Sequence, residues 1–196
     1  MTDSFRFDVI AAGFSGDSSV ALEALHHDDG IVRASALRAL ARIGTLTAEI
    51  LAPFVQDAHI ETRRTAVELA VPFPSVYVHQ CIDDSDVFVA EMAAWCVGER
   101  SSASDIEIET LVDRTTSHSE AVVREACAAA LGSLGDERGL PAILAACSDK
   151  PAVRRRAILA LAPFEGDDVE AALQRALEDK DWQVRQNAED LLNPRS

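Results

Sequence analysis

The side chains in this sequence that could bind or react are few in kind: five histidines, four cysteines and a periodic set of arginines. His26-His27-Asp28-Asp29 places four residues of metal-ligating type in a row. Neighbouring residues on a helix point about a quarter-turn apart, so His26 and His27 do not converge on one ion. A metal site needs several convergent ligands, and the run reads as a solvated helix end. Cys81, Cys96, Cys127 and Cys147 form no Cys-x-x-Cys pair and have no zinc-like spacing. No nucleophile–base–acid motif, Gly-rich phosphate loop or paired-carboxylate site stands out. The sequence therefore favours a non-enzymatic protein with no cofactor and no metal.

The arginines are more informative, because they recur inside a phrase. Six times the chain repeats an acidic turn, an anchor residue followed in all but one copy by Arg, a small residue four after the anchor, and an aliphatic residue four beyond that. The anchors are Val32, Thr62, Val89, Val123, Val153 and Val184, separated by 30, 27, 34, 30 and 31 residues. Arg follows five of them, as Arg33, Arg63, Arg124, Arg154 and Arg185. A row of arginines invites a phosphate-binding reading. Each, however, has an acidic turn residue a few positions upstream, clearest at Asp29, Glu120 and Asp181. Stacking the repeats predicts an Asp–Arg ladder of charge-assisted bonds that ties one repeat to the next.

The elements that must position these residues follow from the period. A fixed repeat near 30 residues marks a solenoid. Apolar positions recur at four, four and three residues, predicting amphipathic B helices over about 30–43, 60–71, 86–98, 120–132, 151–162 and 181–192. Shorter A helices are predicted near 18–27, 46–56, 76–82, 105–115, 138–147 and 167–178. Ser104-Asp-Ile-Glu107 has capping-box spacing, and Pro151 suits a first helical turn. Gly44, Gly98 and Gly135 follow B helices and read as left-handed stops. Residues 1–196 are predicted to form one repeat domain. Residues 1–16 are an apolar leader, packed over the first A helix and capping the stack, 17–193 hold six repeats, and 194–196 are a tail.

The phrase Val123-Arg124-Glu-Ala-Cys127-Ala-Ala-Ala-Leu131-Gly132-Ser-Leu134-Gly135 resembles the short bacterial HEAT-like repeat named after phycobilisome bilin lyases. Asp29, Asp86 and Asp181 stand at its acidic position, Glu120 substitutes in the fourth repeat, and Asp149 sits one residue early in the fifth. The resemblance implies an all-α, right-handed α-solenoid (superhelix) of about six helix pairs, B helices lining the concave face and A helices the convex one. In most relatives the concave face binds another protein. Deoxyhypusine hydroxylases of this type hold two irons with His-Glu dipeptides. Here His26, His27, His59, His79 and His118 are followed by His, Asp, Ile, Gln and Ser. In bilin lyases the repeat is scaffold and carries no bilin chemistry by itself.

Positions two and six after each anchor face away from a helical core. They form a stripe of mixed charge: Ala34 and Arg38; Arg64 and Glu68; Glu91 and Trp95; Glu125 and Ala129; Arg155 and Leu159; Gln186 and Asp190. The expected partner-binding residues are Trp95, with Glu91 and Glu99 one turn to either side, and Arg64, Glu68, Arg155 and Leu159 on flanking repeats. Trp95 reads either as an anchor for a partner or as packing between helices.

Net charge narrows the partner. The chain carries −15, with 33 acidic against 18 basic residues, and Lys150 and Lys180 are its only lysines. Such a chain is repelled by phosphate backbones and anionic membranes. The acidic N-terminus lacks the apolar run of a signal peptide, so the expected location is cytoplasmic. The function expected is a scaffold or adaptor binding a protein or peptide, with neither nucleic acid nor membrane as partner. The alternatives are a HEAT-like lyase or chaperone subunit handling a small ligand and, behind it, a HEAT-like nucleic-acid-binding protein.

Overall fold

A computed structural model describes residues 2–193, with side chains from residue 4 onward; the tail expected at 194–196 lies outside the described residues. Among those residues the structure is all-α, with no strand. Its contacts divide into two compact units, Met1–Met92 and Ala93–Ser196.

Unit 1 opens with α1 (Thr2–Ser15), then α2 (Ser18–Ala24), α3 (Gly30–Ile43), α4 (Ala48–Leu51), which runs into a 3₁₀ segment over Ala52–Gln56, and α5 (Ile60–Leu69). A 3₁₀ turn at His79–Asp83 stands where a third A helix is predicted. Pro72 and Pro74 end the preceding B helix and leave too little chain for more. The division between the units falls inside α6 (Val87–Gly98). Unit 2 continues with α7 (Asp105–Ser117), α8 (Ala121–Leu134), α9 (Leu140–Ala146), α10 (Pro151–Ala160), α11 (Asp167–Ala176) and α12 (Trp182–Leu192). Asp29 and Asp181 are N-caps that accept the amides of Ile31 and Gln183. Gly44 and Gly135 adopt φ of 81° and 63° and stop α3 and α8.

Gly98 is not a stop. It is the last residue of α6 but lacks a left-handed φ, and a Cβ built on it would come 2.7 Å from the Cα of Ala130 on α8. Gly132 of α8 meets Ala160 of α10 in the same way, at 2.6 Å. Position nine after an anchor thus meets position seven of the next B helix, and absent side chains set that approach. Gly13 of α1 lies against Ala39 of α3 in the same register. The leader is therefore a B-type helix with its own anchor position at Ser4, and it packs chiefly on α3 rather than on the first A helix. The reason is its buried face, Val9, Ala12 and Gly13, which has the small-residue spacing of a B helix.

Four of the five arginines form rungs, with acids other than those nearest upstream, while Arg185 donates only to the turn carbonyls of Asp179 and Lys180. Arg33 holds Asp57, Arg63 holds Asp84, Arg124 holds Asp149 and Arg154 holds Asp179, each through Nε and Nη2 at 2.5 to 2.8 Å. Nη1 meanwhile donates to turn carbonyls of the arginine's own repeat, such as His118 and Ser119 for Arg124. The partner acid belongs to the next repeat. Asp29 and Asp181 are occupied as caps, and Glu120 stands at an N-cap without a side-chain bond there. The rung aspartate also accepts a backbone amide one or two residues on: His59 for Asp57, Asp86 for Asp84, Lys150 for Asp149 and Asp181 for Asp179. The first rung is aromatic. Phe5 takes the arginine position of α1 and stacks on His27, ring centroids 5.6 Å apart, while His27 Nδ1 accepts the Asp29 amide.

The long spacer after α6 is also tied down. Arg100 and Glu107 form an ion pair with each side chain 2% exposed, and Glu107 accepts the amide and hydroxyl of Ser104 through its other oxygen, completing the capping box. Glu107 spreads its bonds over both carboxylate oxygens, and that helps make so buried a pair tolerable.

Removing one rung is expected to be costly. Arg124→Ala leaves Asp149 and two turn carbonyls without their donor, and stability should fall by about 1–3 kcal/mol. Arg124→Lys should restore little of it, since one ammonium does not serve both edges. Denaturant unfolding of the three proteins checks this. Acid should act on the same bonds. Burial pushes the Asp57 and Asp84 carboxyls up, but the guanidinium and amide donors outweigh it and hold them below the ordinary value of 3.8. At Asp149 and Asp179 the guanidinium bond dominates in the same direction. Folded values below unfolded ones give stability that is complete above the unfolded pKa and lost as pH falls through the folded values. The rung contribution should therefore be flat from neutral pH down to about 5 and decline below about 4, and Asp149→Asn should flatten that decline.

Candidate functional site

The outer row of the B helices is position six after each anchor. Arg38, Glu68, Trp95, Leu159 and Asp190 are all exposed there, and Ala129 is half-buried. Position two is more covered: Ala34 is buried, Glu91, Glu125 and Arg155 are half-buried, and only Arg64 and Gln186 are exposed. At Glu125 and Arg155 the cause is a lean toward the following helix. In unit 2, Glu125 of α8 lies 3.7 Å from Arg156 of α10, and Arg155 donates to Gln183 of α12 at 2.5 Å.

In unit 1 the row is ionic. Arg38 of α3 lies 3.3 Å from Glu61 and 3.8 Å from Glu68 of α5, with Arg64 exposed on the same helix. Glu68 is thus already engaged by a neighbouring cation.

In unit 2 the row is apolar from α6 to α10 and ends in Asp190 on α12. Gly98 against Ala130 and Gly132 against Ala160 fix α6, α8 and α10 in common register, so Trp95, Ala129 and Leu159 occupy equivalent positions on consecutive helices. Trp95 and Leu159 are each 43% exposed and flank the small Ala129. Glu99, exposed, donates its amide to the Trp95 carbonyl in the last turn of α6. Beside Leu159 lies an open depression of about 420 Å³, bordered by Glu125, Arg155, Arg156, Gln183 and Asn187. Arg155 also bonds the Pro151 carbonyl and stands 3.5 Å from the Asp181 carboxylate, while Asn187 Nδ2 holds the Arg155 carbonyl at 3.1 Å. Gln183, Asn187 and Arg156 are not among the expected site residues. They sit one before and three after their anchors, and that spacing was the available signal.

Chemistry of other kinds finds little footing. All four cysteines are free thiols, and burial pushes Cys96 and Cys147 up to about 11, which keeps them protonated and weakly nucleophilic at neutral pH. Among the described residues no three His, Cys, Asp or Glu side chains are grouped as metal ligands. No helix there is long and apolar enough to cross a membrane.

Residues 77–162 match the profile of HEAT repeats, and 153–179 match the PBS lyase HEAT-like repeat. The chain is built of HEAT-like repeats. No curated protein matches its sequence. Among solved structures, a designed armadillo repeat protein in complex with the peptide (KR)4 is similar at 18% identity and a TM-score of 0.63, over 88% of this chain and 96% of that one. A second designed armadillo repeat protein aligns at 18% identity and 0.58, over 88% and 97%. Human deoxyhypusine hydroxylase in complex with glycerol aligns at 21% identity and 0.50, over 96% of this chain and 77% of that one. At these identities the likeness is one of fold: an all-α repeat solenoid of the armadillo and HEAT type.

The exposure of Trp95 predicts how its removal partitions. Trp95→Ala should cost less than half the stability lost by Leu131→Ala, which empties a fully buried site at about 2–5 kcal/mol. Parallel thermal melts of the two variants of this HEAT-like repeat protein decide whether the ring is packing or surface.

Proposed function

We propose that this protein is a non-enzymatic scaffold that binds a protein or peptide segment on the outer face of its B helices. The observation that carries the reading is the row in unit 2, where Trp95 and Leu159 stay exposed on either side of Ala129. A large aromatic at the centre of a polar surface is the usual kind of energetic anchor. Glu91 and Glu99 lie one turn to either side of Trp95 in the sequence of α6, and the chain as a whole carries −15. An extended or helical segment with an apolar side chain and basic neighbours matches that chemistry. The designed solenoid bound to (KR)4 supports it by showing a related fold holding a basic peptide. Arg155 would set register rather than affinity, because solvent-facing ion pairs contribute little.

Fluorescence anisotropy with a labelled peptide alternating Lys or Arg with Leu tests the proposal, against an acidic peptide of equal length and a DNA duplex. The basic peptide should bind, more weakly as salt rises. Trp95→Ala should weaken it at least tenfold, since a central aromatic anchor is worth about 2 kcal/mol or more. Equal binding of the duplex, or an unchanged affinity in a folded Trp95→Ala protein, overturns the assignment. Capture from native lysate followed by mass spectrometry would then name the partner.

A further inference from the structure

On three B helices the residue three after the anchor reaches back to the preceding B helix. Ser35 accepts a bond from Arg6 of α1, and Asn187 donates to the Arg155 carbonyl of α10. Arg156 of α10 takes the same position and leans toward Glu125 of α8, but its Nε stops 3.7 Å from Oε1, beyond hydrogen-bond reach. Ser35 is buried and Asn187 half-buried, whereas Arg156 is exposed. Among the described residues neither Nη1 nor Nη2 of Arg156 has a partner. Arg155 is committed elsewhere, through Nε to the Pro151 carbonyl and through Nη1 to Gln183 Oε1. With Oε1 taken, the Gln183 carboxamide has its Nε2 donor left. Arg156 and Gln183 both border the depression of about 420 Å³ beside Leu159. Two guanidinia and one carboxylate, Glu125, make up the charge of that border.

The sign of the outer face therefore changes along unit 2. Glu99 stands exposed one turn after Trp95 on α6, Arg155 and Arg156 mark α10, and Asp190 is exposed on α12. The basic stretch is confined to a single helix, so a segment crossing α6, α8 and α10 meets it at one place. We propose that the depression is a subsite for an acidic side chain of the peptide segment bound through Trp95, an assignment that rests on that peptide-binding role. The carboxylate pairs with the terminal nitrogens of Arg156 and accepts from Gln183 Nε2, while Leu159 packs along its methylene stem. Such a group matches the forked donors of a guanidinium. Packed neighbouring helices lie about 8–10 Å apart, which sets Trp95 and the subsite roughly 16–20 Å apart, about five or six residues of extended chain. The occupant is thus an extended segment with an apolar side chain and basic neighbours at one end and an acid at that distance. It runs in one direction across the row.

Fluorescence anisotropy on the full chain tests this with amidated peptides that share one Lys-Leu block and differ only in a pair of residues about six positions further on. Glutamates there should bind more tightly than glutamines by about fivefold, the upper end of what a solvent-facing ion pair contributes. Lysines should bind more weakly than glutamines. The net charge of −15 by itself favours lysine at every position, so a glutamate preference reports a local contact. Glutamates moved next to the block should lose the gain. Arg156 is exposed and its one close acid lies beyond hydrogen-bond reach, so its replacement should keep the helicity seen by circular dichroism. Arg156→Gln should erase most of the glutamate preference, and Arg156→Glu should invert it in favour of lysine. Equal affinities across the wild-type series, a preference indifferent to where the glutamates stand, or one that survives Arg156→Gln overturns the subsite and leaves peptide binding at Trp95 standing. Absence of binding by every peptide overturns both.

Discussion

A guanidinium with two occupied edges is the bond on which this architecture turns. One edge is fixed by carbonyls of the arginine's own turn and the other closes on an aspartate from the following repeat. A single repeat therefore makes only half the arrangement, and the half it lacks is polar, so it cannot be left buried without cost. The same aspartate orders the turn that caps its own B helix. Helix start and repeat stacking are thus one interaction with two outcomes. The Phe5–His27 stack shows which part is indispensable. Ring contact replaces the ion pair, yet His27 still accepts the Asp29 amide as the aspartates do. The turn is kept even where the charge is dispensed with.

Much of this was legible in residue spacing. The anchors, the capping acids, the Ser104–Glu107 box and the helix boundaries follow from patterns contained within one repeat. What escaped depends on contacts between repeats. The rung acids sit 21 to 25 residues beyond their arginines, so a reading that looks only upstream finds the caps at Asp29 and Asp181 instead. Gly98 looks like a stop because it ends an apolar run, and only the proximity of Ala130 shows that it is a contact. The leader hid its nature for the same reason: its Ser4 anchor and Phe5 rung carry none of the Val-Arg phrase.

The site was half legible. Helical geometry placed Trp95 and Leu159 on an exposed row, but it gave position two equal weight. In unit 2 the lean of B helices toward their successors partly covers Glu125 and Arg155. Polar chemistry in this chain is spent mostly along the turns, where it joins repeats. The B-helix face is left with few strong features, and those few carry the functional reading.

The demand for a two-edged cation has a chemical corollary. An ammonium offers one nitrogen and cannot span both sides of a rung, and the chain uses 16 arginines to two lysines. Lys150 and Lys180 are both exposed, and each directly follows a rung aspartate, Asp149 or Asp179. Enzymatic acetylation or an amine-reactive dye acting on lysine would find its targets only on those two turns. Lysine labelling of this molecule is in effect a report from two consecutive joints of unit 2.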